Sequence, residues 1–141
     1  MKTVAVILAA GGSSRLGAPK QFVRIEGDTL VTRTAQTCLA CRCEGIVVVV
    51  GAAGDAVRQE IAGLDVEHVA NRAWREGISA SIRSGVDFVE DRWPDADAIL
   101  LVLVDQPHVD ADLLDRLIDA ADTEAVTRVG TRYAGGVGVP A

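Results

Sequence analysis

The chain has 141 residues, 49% of them hydrophobic and 24% charged, the size and composition of one globular domain with a core of its own. Its net charge of −6 excludes broad nucleic-acid binding, because a phosphate backbone is held by clustered Lys and Arg and would be repelled by this average field. No apolar run reaches the roughly 18 residues that span a bilayer, and Met1-Lys2-Thr3 leads into a strand pattern with no small-residue cleavage site behind it, so a cytoplasmic protein without a membrane partner is expected.

The first predicted strand covers residues 4–9, a continuous apolar run rich in β-branched side chains, which is how a strand buried on both faces reads. It runs into Leu8-Ala9-Ala10-Gly11-Gly12-Ser13-Ser14-Arg15-Leu16-Gly17-Ala18-Pro19-Lys20. Small residues let the backbone approach a ligand, and consecutive amides in a glycine-rich turn form a concave nest for phosphate oxygens. Arg15 and Lys20 add positive charge to an otherwise acidic chain, so this stretch is read as binding a nucleoside triphosphate rather than as a surface loop with incidental charges. It is neither of the two common phosphate loops. A Walker loop needs Lys directly after its last glycine and then Ser or Thr, whereas Gly17 is followed by Ala18-Pro19-Lys20. The dinucleotide fingerprint needs a third glycine opening a helix, and Pro19 turns Ala18 away from helix where that helix would run.

A helix is predicted over residues 29–42, with Cys38, Cys41 and Cys43 clustered at its end. Their odd number, and the lack of a second Cys or His pair at a usual spacing, point to packing in a reducing compartment rather than to a disulfide framework or a zinc site. A second buried strand follows at 46–50, then a helix at 55–62 and a weaker strand at 66–70. The helix at 77–91 carries a single-face stripe of Ile78, Ile82, Val86 and Val89, with Ser79, Arg83, Ser84 and Asp87 off it. Ser81 falls in its first turns, where hydroxyls and free amides face the mouth of the sheet; it either meets a ligand or satisfies its own helix. Trp74, just before, is read as a partly buried loop anchor in preference to a stacking platform.

The third buried strand, 98–104, closes on Asp105, and Pro107 prevents continuation of the ladder. A carboxylate at the carboxyl end of a central strand, facing the first loop, suits Mg²⁺ held by one or two protein oxygens while phosphates and waters complete the octahedron. Asp110 fits better as the cap of a helix over 110–121, and 124–129 is a weaker strand. His68 and His108 have neither triad spacing nor a paired ligand and are read as structural or solvated. The alternation predicts an α/β fold of three layers, a mostly parallel sheet with helices on both faces and right-handed crossovers, as a single domain over 1–141. In such sheets ligands bind beyond the carboxyl ends of the strands, which directs attention to the loops after Ala9, Ala70 and Val104.

Leu8-Ala9-Ala10-Gly11, Ser14-Arg15, Gly17 and Pro19-Lys20 resemble the signature of the MobA-like nucleotidyltransferases. Asn71-Arg72-Ala73-Trp74 with Glu76-Gly77, Ser79 to Val86, and Val104-Asp105-Gln106-Pro107 extend the resemblance over the whole chain. The nearest likeness is to the molybdenum cofactor cytidylyltransferase branch. The resemblance implies a Rossmann-like nucleotidyltransferase fold. It implies nucleotide binding by Leu8, Ala9, Ala10, Gly11, Gly12, Ser13, Ser14, Gly77 and Ser81, the serine near the nucleobase. It implies Arg15 on the β and γ phosphates, Lys20 near the α-phosphate, and Asp105 on Mg²⁺.

The implied reaction is attack by an acceptor phosphate on the α-phosphorus of a nucleoside triphosphate, with pyrophosphate leaving in line and no general base required. At branch level the acceptor is molybdopterin and the recipient of the product a molybdenum hydroxylase apo-enzyme; relatives use sugar or polyol phosphates. Ala10 places a methyl where guanylyl-transferring relatives resemble Leu-Ala-Gly-Gly, so CTP is expected over GTP. The alternative from another class is a protein that binds and delivers a nucleotide or cofactor without turnover. A redox role is a third reading, without a dinucleotide fingerprint to support it. Family members continue past the stretch resembling 133–141 and add a second acidic residue for the metal, so the expectation is a domain whose C-terminal part is missing, binding triphosphate weakly and transferring it poorly.

Overall fold

A computed structural model of the chain describes residues 1–11, 20–124 and 126–141. In chain order the elements are β1 (Thr3–Ala9), the small hairpin β2 (Arg24–Ile25) and β3 (Asp28–Thr29), α1 (Leu30–Ala40), β4 (Gly45–Val50), α2 (Gly54–Ile61), β5 (Glu67–Ala70), α3 (Ile78–Arg92), β6 (Ala98–Leu103), α4 (Ala111–Glu124), and the hairpin β7 (Thr131–Tyr133) and β8 (Gly136–Gly138). Single turns of 3-10 helix lie at Lys20–Phe22 and Trp74–Glu76.

All seven residues of β1 are buried, because strands flank it on both sides and helices cover both faces. β4 runs parallel to it with Val4 opposite Gly45 and Ala9 opposite Val50. β6 runs parallel on the other side, with Thr3 opposite Ala98 and Leu8 opposite Leu103. β5 pairs with β4, giving a four-stranded parallel sheet in the order β5-β4-β1-β6. The three apolar runs singled out from the sequence are its three inner or longest strands. The pleat then sorts the core into two layers. Ala5, Ile7 and Ala9 pack with Val31 of α1, Val57 of α2 and Leu114 of α4 on one face, while Val4, Val6, Leu8 and Ala10 pack with Val89 of α3 on the other.

Two expectations are corrected. Of the stripe Ile78, Ile82, Val86 and Val89, only Val89 is buried; the inner face of α3 is Ala80, Ser81, Gly85 and Val89, and Ile78 is 52% exposed. The reason is distance. A Cβ on Gly85 would stand 2.5 Å from Val6 Cγ1 and 3.2 Å from Val49 Cγ2, so α3 lies too close to the sheet for large side chains on its contact face. The strand expected at 124–129 is also absent: α4 continues to Glu124, residues 126–130 carry no strand, and pairing starts only at β7. Val129 packs on the core without a ladder partner. Beyond β8 the chain returns to the outer edge of β6, where Ala141 and Leu101 exchange backbone hydrogen bonds of 2.8 and 3.2 Å. Among the described residues, no helix is long and apolar enough to cross a membrane.

Candidate functional site

The carboxyl ends of β1 and β6 and the start of α3 converge on a cleft of about 270 Å³. β1 and its exit contribute Leu8, Ala9, Ala10 and Gly11. The start of α3 contributes Gly77, Ile78 and Ser81, and the exit of β6 contributes Leu103, Val104 and Asp105. The loops named from topology after β1 and β6 therefore meet here, and the one after β5 supplies Trp74.

Each contribution has a local cause. β1 ends buried, and the Ala10 carbonyl accepts the Ala52 amide at 3.2 Å, which ties its exit to that of β4. That approach needs a glycine: a Cβ on Gly51 would fall 2.8 Å from the Ala10 oxygen and from Trp74 Cβ. Gly77, at φ +104, holds a left-handed-region conformation that side chains disfavour, and no side chain caps the helix it opens. The N-cap position thus supplies no side-chain oxygen to the first-turn amides of α3, which lie beside the cleft. α4 differs, since Asp110 Oδ1 accepts the Leu113 amide at 2.8 Å, the cap assigned to it from sequence.

Of the residues singled out from the sequence, Leu8, Ala9, Ala10, Gly11, Gly77, Ser81 and Asp105 line one cleft. Gly12, Ser13, Ser14 and Arg15 lie outside the described residues, as does the side chain of Lys20. Trp74 both lines the cleft and packs in the α3-side core, with the Arg75 guanidinium 5.2 Å from its ring centre. Gln21 and Asn71 were missed. Gln21 is 2% exposed, and its Nε2 donates to the carbonyls of Ala9 and Gly11, both at 3.4 Å, bracing the exit of β1. Asn71 is 3% exposed, and its Nδ2 donates to Ser81 Oγ at 2.9 Å. Asn71 stood in the stretch Asn71-Arg72-Ala73-Trp74 that carried the resemblance but was given no role, and Gln21 had no signal.

Asp105 is exposed and is the one carboxylate on the cleft lining among the described residues. No group of three or more His, Cys, Asp and Glu that could hold a metal occurs among them. A single hard oxygen donor at a cleft mouth fits a magnesium-type ion held mainly by ligand phosphates and water, not an all-protein cage. His68 is exposed and off the cleft; His108 is exposed in a separate groove of about 400 Å³ between α1 and the β6–α4 connection. The three thiols are free and cluster at the end of α1, with Cys38 in its last turn, at the opposite rim of the sheet, where Glu44 meets Thr3. Burial pushes the Cys38 thiol up to about 12. Cys41 and Cys43 lie 3.3 Å apart, and their shared hydrogen bond holds Cys41 below and Cys43 above the usual thiol value.

Residues 5–141 match the model of the MobA-like NTP transferase domain. The chain is 34% identical over 114 residues to a nicotine blue oxidoreductase of Paenarthrobacter nicotinovorans, covering 80% of this chain and 54% of that protein. It is 31% identical over 127 residues to a molybdenum cofactor guanylyltransferase of Rhodobacter capsulatus, covering 89% of this chain and 62% of that one. The crystal structure of Rv0371c from Mycobacterium tuberculosis H37Rv superposes on 99% of this chain and 69% of its own, with a TM-score of 0.81 and 34% identity. A complex of that protein with manganese superposes with a TM-score of 0.74 and 29% identity. The chain spans about half the length of the first of these relatives. It belongs to the MobA-like NTP transferase family.

Proposed function

We propose that this member of the MobA-like NTP transferase family is a nucleotidyltransferase domain that moves CMP from CTP to molybdopterin and releases pyrophosphate. The observation that carries the reading is the convergence of Leu8 to Gly11, the uncapped start of α3 at Gly77 with Ser81, and Asp105 on one cleft. The nucleobase lies against α3 near Ser81, and the phosphates run toward Gly11 and the loop that follows. The amides of Gly12, Ser13 and Ser14 with Arg15 take the β and γ phosphates, and Lys20 takes the α-phosphate. An acceptor phosphate oxygen forms the new bond to the α-phosphorus as the bond to pyrophosphate breaks; the acceptor is already anionic, so no base has to remove a proton. Asp105 would hold Mg²⁺, which when bound neutralises charge on the phosphate oxygens. A divalent ion is in keeping with the manganese complex of the structural relative.

The methyl of Ala10, on the cleft lining, supports CTP over GTP. A cytoplasmic setting with reduced thiols, and a molybdenum hydroxylase apo-enzyme as recipient of the product, complete the reading. The test is a panel of nucleoside triphosphates with reduced molybdopterin and Mg²⁺, following pyrophosphate and product mass. Pyrophosphate release that needs both acceptor and metal, fastest with CTP, is expected. Nucleotide binding without release would assign a delivery protein. Release only with a sugar or polyol phosphate would reassign the acceptor, a preference for GTP would overturn the base choice, and oxidation of a dye without release would favour the redox role in the name of the Paenarthrobacter relative.

A further inference from the structure

Ser81 is held differently from three other hydroxyl residues inside the helices, Thr34, Thr37 and Ser84. Thr34 donates to the carbonyl of Leu30 at 2.8 Å, Thr37 to that of Arg33 at 2.9 Å, and Ser84 to that of Ala80 at 3.1 Å, each turning its proton back onto its own helix. Ser81 makes no such bond among the described residues; its Oγ instead accepts from Asn71 Nδ2 at 2.9 Å.

The polarity of that bond is set by the geometry around Asn71. The backbone amide of Asn71 donates to the Val50 carbonyl at 2.7 Å, continuing the β4–β5 ladder and holding the residue in place. Its Oδ1 accepts the Ala73 amide at 3.0 Å, and a backbone N–H can only donate, so this end of the side-chain amide is the oxygen. The NH₂ group must therefore face Ser81. It carries no usable lone pair, and Ser81 cannot donate back to it. With its oxygen engaged and no acceptor for its proton among the described residues, a 5% exposed hydroxyl on the cleft lining is left as a hydrogen-bond donor to whatever enters.

We propose that Asn71 is a positioning residue that fixes Ser81 as a donor toward the cleft, so that the base bound there must present an acceptor, such as the 2-carbonyl of a pyrimidine. This rests on the reading of the cleft as a nucleotide site. Asn71→Asp is isosteric and keeps the acceptor for the Ala73 amide, but it replaces the NH₂ with an oxygen. Ser81 then donates to the carboxylate and shows a lone pair to the cleft. The added charge weakens every triphosphate alike, so the ratio of CTP to GTP affinity isolates the effect on the base.

The experiment is equilibrium binding of CTP and GTP to the full chain and its variants with Mg²⁺, with thermal unfolding as a check on folding. Ser81→Ala is expected to weaken CTP roughly three- to tenfold, the size of one neutral hydrogen bond. Asn71→Asp is expected to lower the CTP to GTP ratio by at least that factor, and to change the ratio no further when Ser81→Ala is already present. If Asn71→Asp does not fold, Asn71→Ala serves: freed of its donor, Ser81 turns to its own helix and the ratio falls toward that of Ser81→Ala. Failure of the wild-type chain to bind CTP would overturn the nucleotide reading and this inference together, whereas CTP binding that Ser81→Ala leaves unchanged would overturn the inference alone. A Ser81→Ala loss with an unchanged ratio in the Asn71 variants, or a ratio change that persists without the hydroxyl, would overturn the inference alone.

Discussion

α3 and α4 begin at the same rim of the sheet and are closed in opposite ways. α4 opens on Asp110, whose carboxylate takes the Leu113 amide at 2.8 Å. α3 opens on Gly77, at φ +104, with no capping side chain, and the cleft lies against its first turn. A good cap stabilises a helix by about 1 kcal/mol. Leaving it out is tolerable where the first-turn amides face a cleft and can meet water or the acceptor groups of a ligand. The contrast teaches that the rim of this fold has a closed side and an open side, told apart by what terminates each helix, and the proposed function assigns binding to the open one.

The strongest challenge to that division is at Asp105, between the two helices. Asp105→Ala is expected to lower turnover about a hundredfold or more, on the order of 2.7 kcal/mol of transition-state stabilisation, while the fold persists. Lys20→Ala should do the same from the first loop. Steady-state kinetics on both variants decides, and ordinary turnover in either removes that residue from the mechanism.

Next in size is the seat of α3. Gly85→Val places a side chain where a Cβ alone would be 2.5 Å from Val6, and overpacking of this kind costs about 1–3 kcal/mol in urea unfolding. Because α3 must lift, the same variant should lose CTP affinity beyond what its stability explains. Unchanged affinity would detach the position of α3 from binding. The smallest effect belongs to the closed side. Asp110→Ala should cost about 1 kcal/mol of stability and leave nucleotide affinity alone; a binding loss as large as that of Asp105→Ala would erase the distinction.

The sheet was legible in the sequence because strands covered on both faces are written as unbroken apolar runs, and β1, β4 and β6 are such runs. The cap at Asp110 was legible for the same kind of reason, a short polar side chain just before a helical period. The contact face of α3 was not. Close packing selects Ala80, Ser81 and Gly85, and periodicity weighted by large apolar residues turns the helix toward Ile78 and Val86 instead. The strand expected at 124–129 failed because β propensity without an available edge forms no ladder, and the open edge of β6 is met by Ala141. At the site, residues carried by a contiguous motif could be named, but the roles of Gln21 and of Asn71, itself in a named stretch, rest on hydrogen bonds to backbone or to a neighbouring element that only the fold brings near.

The central claim is that a nucleoside triphosphate occupies the cleft between β1, β6 and the uncapped start of α3. Backbone amide chemical shifts of the isotope-labelled chain, followed as CTP and Mg²⁺ are added, test it most directly. The account predicts the largest changes at Ala10, Gly11 and Ile78 to Ser81, with the capped starts nearly still, at Leu113 of α4 and at Thr32 of α1, whose amide donates to Thr29 Oγ1 at 3.3 Å. Changes centred on His108, Asp110 and Ala111, with the first turn of α3 unmoved, would place the nucleotide in the other groove and contradict it.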